Sequence, residues 1–375
     1  MNQPKRYDMI IVGGGIIGAF TLFELTRRGY SRVLLLEKNS AMARGATGAW
    51  GSFVRIYHQS QKVSKLAVDA VSMHLSLRDQ HGIATSFNNS GSLYFLKASR
   101  LLEVQKQLQT LNRGSLQLSI ILADEGRKNF SSFQWSDDDF AIYESHSGTS
   151  CPWTITDSLI EESVKKGART LNNFTISGFA KSGEKIIGVQ SSEGEVFLAE
   201  KIVICAGPAT PGFMAELGEA DPTWNEMIQV NHFHRNILPK KDPFFIDGVY
   251  STFGRPGPEG SFLGGYLVDR GIPVGQNSDV KISMHESAEA KRRLSYRVSW
   301  MRSSALKGGV RALENYSENG DGFVRQSERY PNVFISGGWS CSGFTLAPVV
   351  SKQISDLVVA SGRSQFKWTV AELQS

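Results

Sequence analysis

Cysteine is scarce in this chain. Cys151, Cys205 and Cys341 are the three among 375 residues. They lie far apart, which excludes a disulfide framework and any CxxC metal site. Each reads as a small buried hydrophobe. Long apolar runs are missing too. None reaches the roughly 18 residues that span a bilayer, and MNQPKR passes into an apolar strand without a signal-type stretch. A soluble, cytoplasmic protein is the expectation. Charge of one sign is nearly balanced: 41 Lys and Arg against 36 Asp and Glu, a net +5. No nucleic-acid motif accompanies it, so nucleic acid is not an expected partner. No HExxH helix and no Ser-His-Asp arrangement stands out, so neither a metal nor an activated nucleophile is expected.

Glycine is what the chain has in excess, 37 residues, or near one in ten against an average of about 7%. There is no collagen period, so these glycines serve turns and close backbone approaches to a ligand. With 41% hydrophobic and 21% charged residues, the chain can bury a large core. Its length suits two domains, or one interrupted by another. Lys291, Arg292, Arg293, Arg297, Arg302 and Lys307 form a basic stretch on an expected helix. It reads as a solvated face, or as a docking face for an acidic partner such as a carrier protein or RNA.

The most informative segment is the first. Tyr7 to Val12 is a short apolar run suited to a strand buried on both faces. Gly13, Gly15 and Gly18 then fit G-x-G-x-x-G, followed by helical spacing from Ala19 to Arg28 and a second strand, Arg32 to Glu37. Gly13 permits the tight turn, Gly15 lets the backbone approach a pyrophosphate, and Gly18 allows close helix–strand packing. The N–H groups near Ile16 and Ile17 face the phosphates with the helix dipole behind them. Glu37 lies about 20 residues on, where a carboxylate accepts bonds from ribose hydroxyls. Strand, glycines, helix, strand and acid together give a dinucleotide site for FAD or NAD rather than NADP. Lys38 to Ser52 is a long small-residue loop, in which Lys38, Arg44, Gly45, Ala46, Trp50, Gly51 and Ser52 supply the extra backbone that the longer flavin needs.

With R-G-A-T-G-A-W-G-S-F-V-R-I following it, the N-terminal unit resembles the FAD-dependent amine and amino-acid oxidases. Three further stretches resemble that family in order. Pro152 to Gly167 leads to Leu171–Ile176, where the family has a strand whose backbone, at Ile176, contacts the adenine. Glu200 to Pro208 is similar to its second flavin motif, ending at Ala206 and Gly207. Tyr330 to Pro348 is similar to the strand, glycine loop and helix that wrap the flavin ring, with Gly338, Trp339, Ser340, Ser342, Gly343, Phe344 and Thr345 beside it. On its own residues, the last stretch is a buried strand from Asn332 to Ser336, a flexible turn, and a helix from about Leu346 to Val359. That helix start would stabilise a reduced, anionic flavin.

The resemblance implies an α/β fold: a Rossmann-like FAD-binding domain (1–80, 145–215 and 310–375) interrupted by an α+β substrate domain (81–144 and 216–309) with a mostly antiparallel sheet. It implies oxidation of a C–N bond in a small amine or amino acid. Oxidation of a hydroxy acid, action on a substrate tethered to a carrier protein or RNA, and an inactive flavin-binding subunit stay open. Gly248–Pro256 and Ser261–Tyr266 look like the substrate-domain hairpin, from which Tyr250 or Tyr266 would reach the pocket. Gly309-Val-Arg311 resembles the segment whose arginine holds a carboxylate, for which a planar guanidinium is suited. Arg55 and His58 resemble the pair beside the flavin in the sarcosine branch, and an imidazole there could act as a base or charge switch. The chain departs from that branch at Thr345, which stands in place of a lysine, and around Arg311, where no flavin-linking cysteine occurs. Noncovalent FAD is therefore expected.

Overall fold

The strand Lys5–Val12 is apolar on both faces because helices and a second layer cover it on each side. In the computed structural model, which describes residues 5–112, 114–235, 242–267 and 281–362, it lies at the centre of a mainly parallel sheet. The order is Phe323–Gln326, Val333–Gly337, Val196–Ile204, Lys5–Val12, Val33–Leu36 and Arg169–Leu171, with the antiparallel pair Ile176–Ser182 and Lys185–Ser191 added beside Val196–Ile204. Alternate residues divide between two cores. Ile11 and Leu35 pack with Phe20, Leu22 and Ile354, whereas Ile10 and Leu34 pack with Ile202 and Met214. This is the doubly covered parallel sheet that the apolar runs called for.

Among the described residues the first helix is Ile16–Arg27, and the last is Gly343–Ala360. Each starts three residues before its expected position, directly at its glycine turn. They touch: Ser351 Oγ donates to Ile17 O at 3.0 Å. Pro348 lies inside the last helix and lacks the N–H that would bond Phe344 O. His74 Nε2, from the helix Gln61–His81, supplies a donor instead, 3.1 Å from both Phe344 O and Thr345 O. Burial lowers the His74 pKa to about 4, so the ring is neutral near pH 7 and carries the proton on Nε2 for this bond.

The second sheet runs Ala305–Ser317, Thr223–His234, Ser261–Tyr266, Thr252–Pro256, Phe244–Asp247, Ser92–Lys97, Asp139–Glu144 and Leu118–Leu122. Only the pairing of Phe244–Asp247 with Ser92–Lys97 is parallel among its neighbours. One face, with Tyr94, Leu96, Val230, Ile246 and Phe253, joins the core that also holds Ile11. The other packs Phe95, Phe245 and Phe262 against Leu294, beyond which Arg297 is wholly buried. Ala305–Ser317 belongs to this second sheet and runs across the junction expected at 310. Residues 1–4 and 363–375 of the expected cofactor unit, and 113, 236–241 and 268–280 of the expected substrate unit, lie outside the described residues.

Much of the basic stretch is engaged within the fold. Arg292 and Arg293 both bond Glu289 within the helix Met284–Leu294. Lys291 donates to Ser304 O. Arg297 lies past the helix end and binds Asp139 at 3.0 Å and Asp247 at 2.6 Å, all three inaccessible. Its charge holds two strands together and is absent from the surface.

Candidate active site

The glycine turn leaves no room for side chains. Gly13 has φ +108°, and a Cβ there would lie 2.4 Å from Cys205 O and 3.2 Å from Ala206 Cα. A Cβ on Gly18 would lie 1.9 Å from Gly13 O. The turn after Val196–Ile204, with Ala206 and Gly207, is thereby pressed against Gly13. Gly15 is the N-cap of the first helix, no side chain caps it, and its first turn has no acid. Among the described residues, Thr47 Oγ1 is the side-chain atom that reaches in, accepting from Ile16 N at 3.1 Å. The start beside Ile17 is left for an anion. Glu37 is buried, with Oε2 accepting from Gly14 N at 2.7 Å and Oε1 from Asn39 N at 2.8 Å. Oε1 also accepts from Asn39 Nδ2 at 2.5 Å, so Oε2 is the oxygen that keeps a lone pair for an incoming hydroxyl. Asn173 N and Phe174 N bond Asn39 O and Glu37 O, so this loop crosses beside Glu37, and Ile176 opens the following strand. Lys38, Arg44 and Gly45 are exposed, whereas Gly51 and Ser52 are buried. Ala46 opens a single helical turn, Ala46–Ala49, inside the expected loop.

A second uncapped helix start converges on the first. Ser342 is the N-cap of Gly343–Ala360 without a side-chain cap bond, and a Cβ on Gly343 would lie 3.8 Å from Ile17 Cδ1. The preceding turn is strained: Gly338, Ser340 and Cys341 have φ of +73°, +45° and +65°. The strand Ala305–Ser317 holds it. Asn315 Oδ1 accepts from Gly338 N at 2.7 Å, Ser340 Oγ accepts from Ser317 N at 3.0 Å, and Glu314 Oε1 accepts from Cys341 N at 3.3 Å. Trp339 Nε1 donates to Ser336 Oγ, and Thr345 Oγ1 donates to Phe53 O at 2.8 Å. Phe344 is buried in the same core. The glycine cradle, the ribose-side carboxylate and this second helix start fit an extended flavin dinucleotide.

Beside that turn, buried side chains from the cofactor segments meet one face of the second sheet, and this junction is the candidate cleft. Antiparallel register opposes Trp224 to Tyr316, Glu226 to Glu314 and Ile228 to Ala312, so these share one face. Tyr316 OH lies 2.9 Å from Cys341 Sγ, which fixes that face as the one toward the cofactor turn. Trp50 packs on Phe253 at 4.7 Å with the rings tilted by 46°, and Phe53 stacks on Phe244 at 4.5 Å. Arg55 lies over the Tyr94 ring at 5.6 Å and donates to Tyr57 O. Burial lowers its pKa. Burial first, then Glu314, raises Cys341 well above the usual thiol range, and the charges of Arg55 and Glu226 also reach it. Burial raises the Glu314 carboxyl to about 7.

The residues expected to do chemistry do not all meet here. Arg311 lies three positions from Glu314, and strand alternation puts it on the opposite face. There it opposes Gln229 and binds Glu286 at 2.6 Å. Tyr266 is on that same side, its ring 4.8 Å from the Arg293 guanidinium. Tyr250 packs on Tyr296 and under Arg297. The hairpin forms as expected, but neither tyrosine turns into the cleft. His58 is close to Arg55 yet buried, and burial followed by the Arg55 charge lowers its pKa well below 6.5. It is neutral at pH 7 and is no charge switch there. Trp224, Glu226, Glu314, Tyr316 and Cys341 carry the cleft instead. The one signal for them was the alternation of Ala312, Glu314 and Tyr316, which needs the inner face to be known.

The family described as FAD dependent oxidoreductase matches residues 8–357. The chain is 21% identical to the 4-methylaminobutanoate oxidase (formaldehyde-forming) of Paenarthrobacter nicotinovorans, over 99% of this chain and 46% of that one, so it spans under half of that relative. It is 22% identical to the monomeric sarcosine oxidase of Streptomyces avermitilis over 95% and 94% of the two chains. The L-proline dehydrogenase structure from P. horikoshii superposes with a TM-score of 0.85 at 18% identity, covering 97% and 96%, and so shares the fold. With the match running through the cradle, the strained turn and both helix starts, the chain belongs to the FAD-dependent oxidoreductase family.

Proposed function

We propose that this enzyme oxidises a C–N bond of a small, free amine or amino acid, with its FAD held noncovalently. The observation that carries this reading is the buried junction between the cofactor turn and the second sheet. Trp50, Arg55 and Cys341 come from the segments that build the cradle, and they face Glu226 and Glu314 of the second sheet. Bound FAD supplies the hydride acceptor. The chain must hold the reacting carbon against it, exclude water and leave the amine neutral.

Gly13, Gly15 and Gly18 with Glu37 would hold the nucleotide half, and the turn 338–342 with Gly343 the ring half. Trp50, Phe53 and Phe253 form the dry wall. Arg55 has no ion pair among the described residues, so its guanidinium is the group for a substrate carboxylate. The similar proteins named for 4-methylaminobutanoate and sarcosine, both amines, support the substrate class. Cys341, the thiol nearest the cleft, is kept protonated by burial and bonded to Tyr316, which supports noncovalent binding. A cytoplasmic location is proposed with it, on the three unpaired cysteines, and cell fractionation tests that.

The functional test is anaerobic flavin reduction across amines, amino acids and hydroxy acids. Bleaching by amines or amino acids is expected, and bleaching by hydroxy acids alone would refute the reading. Acid precipitation should release the flavin into the supernatant. Flavin retained in the pellet would refute noncovalent binding.

A further inference from the structure

Two carboxylates directly opposite each other on paired strands repel, and sheets avoid the arrangement. Glu226 and Glu314 are such a pair, 5% and 8% exposed, on the face toward the flavin turn. Glu226 has one donor, Trp224 Nε1 at 2.7 Å. Glu314 Oε1 takes the long bond from Cys341 N, and its Oε2, fully shielded, has no hydrogen-bond partner. The Trp50 indole faces it outside hydrogen-bond geometry. Next along the same face, Trp224 and Tyr316 stack at 6.4 Å with 22° between their planes. Buried negative charge with no ion pair among the described residues, bordered by aromatic rings, is the environment that takes an alkylammonium ion.

We propose that Glu226 and Glu314 form the seat for the substrate's ammonium group, so that the enzyme takes up the reacting nitrogen as a cation, beside any carboxylate that Arg55 holds. This rests on the C–N reading above. The ammonium enters protonated and passes one N–H proton to Glu314 Oε2, giving a neutral amine and a protonated carboxyl. The nitrogen lone pair freed in that step is the one that C–N oxidation needs. Cys341 and Tyr316 are the other titratable groups beside the pair, and the Arg55 charge also reaches Cys341.

The test is isothermal titration calorimetry on FAD-loaded protein in phosphate buffer, with tetramethylammonium chloride and with sodium acetate at equal ionic strength. Saturable tetramethylammonium binding is expected, weakening at least tenfold from pH 8 to pH 6 as Glu314 takes up a proton. Glu226→Gln and Glu314→Gln should each weaken it at least tenfold, and Glu314→Gln should flatten the pH dependence. Glu286→Gln, which pairs with Arg311 on the opposite face, should bind as the unaltered enzyme does. No saturable cation binding, binding of acetate alone, or equal binding by Glu314→Gln would overturn the proposal. Cation binding without bleaching by any amine would sink the C–N reading and leave the cation seat standing. Bleaching by amines with cation binding indifferent to both glutamates would do the reverse.

Discussion

Glu314 makes stability depend on pH in a direction opposite to most carboxylates. Its carboxyl titrates at about 7 in the folded chain against 4.5 for an ordinary glutamate, because burial penalises the charged form. Between those values the folded chain holds a proton that the unfolded chain has released. Stability therefore falls as pH rises through that window, and above pH 7 the whole penalty is present. The gap is worth about 3 kcal/mol, with no discount for solvent since the side chain is 8% exposed. Glu314→Gln cannot ionise and removes the penalty. For a chain of this length about 3 kcal/mol corresponds to roughly 4 °C in Tm. Thermal unfolding of FAD-loaded protein in phosphate at pH 5 and pH 8 should show Glu314→Gln gaining about 3 °C on the unaltered enzyme between the two, since part of the penalty is already present at pH 5. Amine buffers must be avoided, since an ammonium in the cleft would compensate the charge. A Tm difference that is the same at both pH values would refute a buried, unpaired carboxylate.

Arg311→Ala should leave KM within about twofold and cost under about 1 kcal/mol, since it breaks only a partly exposed pair; a tenfold rise in KM in steady-state kinetics would return it to the site. Gly18→Ala forces a Cβ onto Gly13 O, so circular dichroism should show folded protein while the visible flavin bands are lost. Retention of the yellow colour would contradict the cradle. Arg297→Met leaves Asp247 without its cation in a dry site, while Asp139 keeps Lys97 at 3.0 Å, and should cost about 3–5 kcal/mol in chemical denaturation. A change under about 1 kcal/mol would mean that water reaches those carboxylates.

The cofactor end was legible because backbone geometry dictates its residues. Only glycine fits at 13 and 18, and the acid at 37 follows at a distance set by one helix and one strand. The substrate end was less so. Ala305–Ser317 is half-buried along much of both faces, so apolar and polar residues do not alternate cleanly and the inner face could not be chosen. The resemblance then favoured Arg311, on the wrong side. The opposition of Glu226 to Glu314 is a register between strands far apart in sequence, and a single chain carries no trace of it. Arg297 was grouped with its basic neighbours because its partners, Asp139 and Asp247, come from remote strands.

The proline in the last helix has a consequence for assembly. One carbonyl at that helix's first turn is served by an imidazole 270 residues upstream rather than by its own backbone. In synthesis from the N-terminus, the donor is made long before its acceptor emerges. The closing segment thus docks onto a template already standing, and the half-site it brings is aligned by the half laid down first.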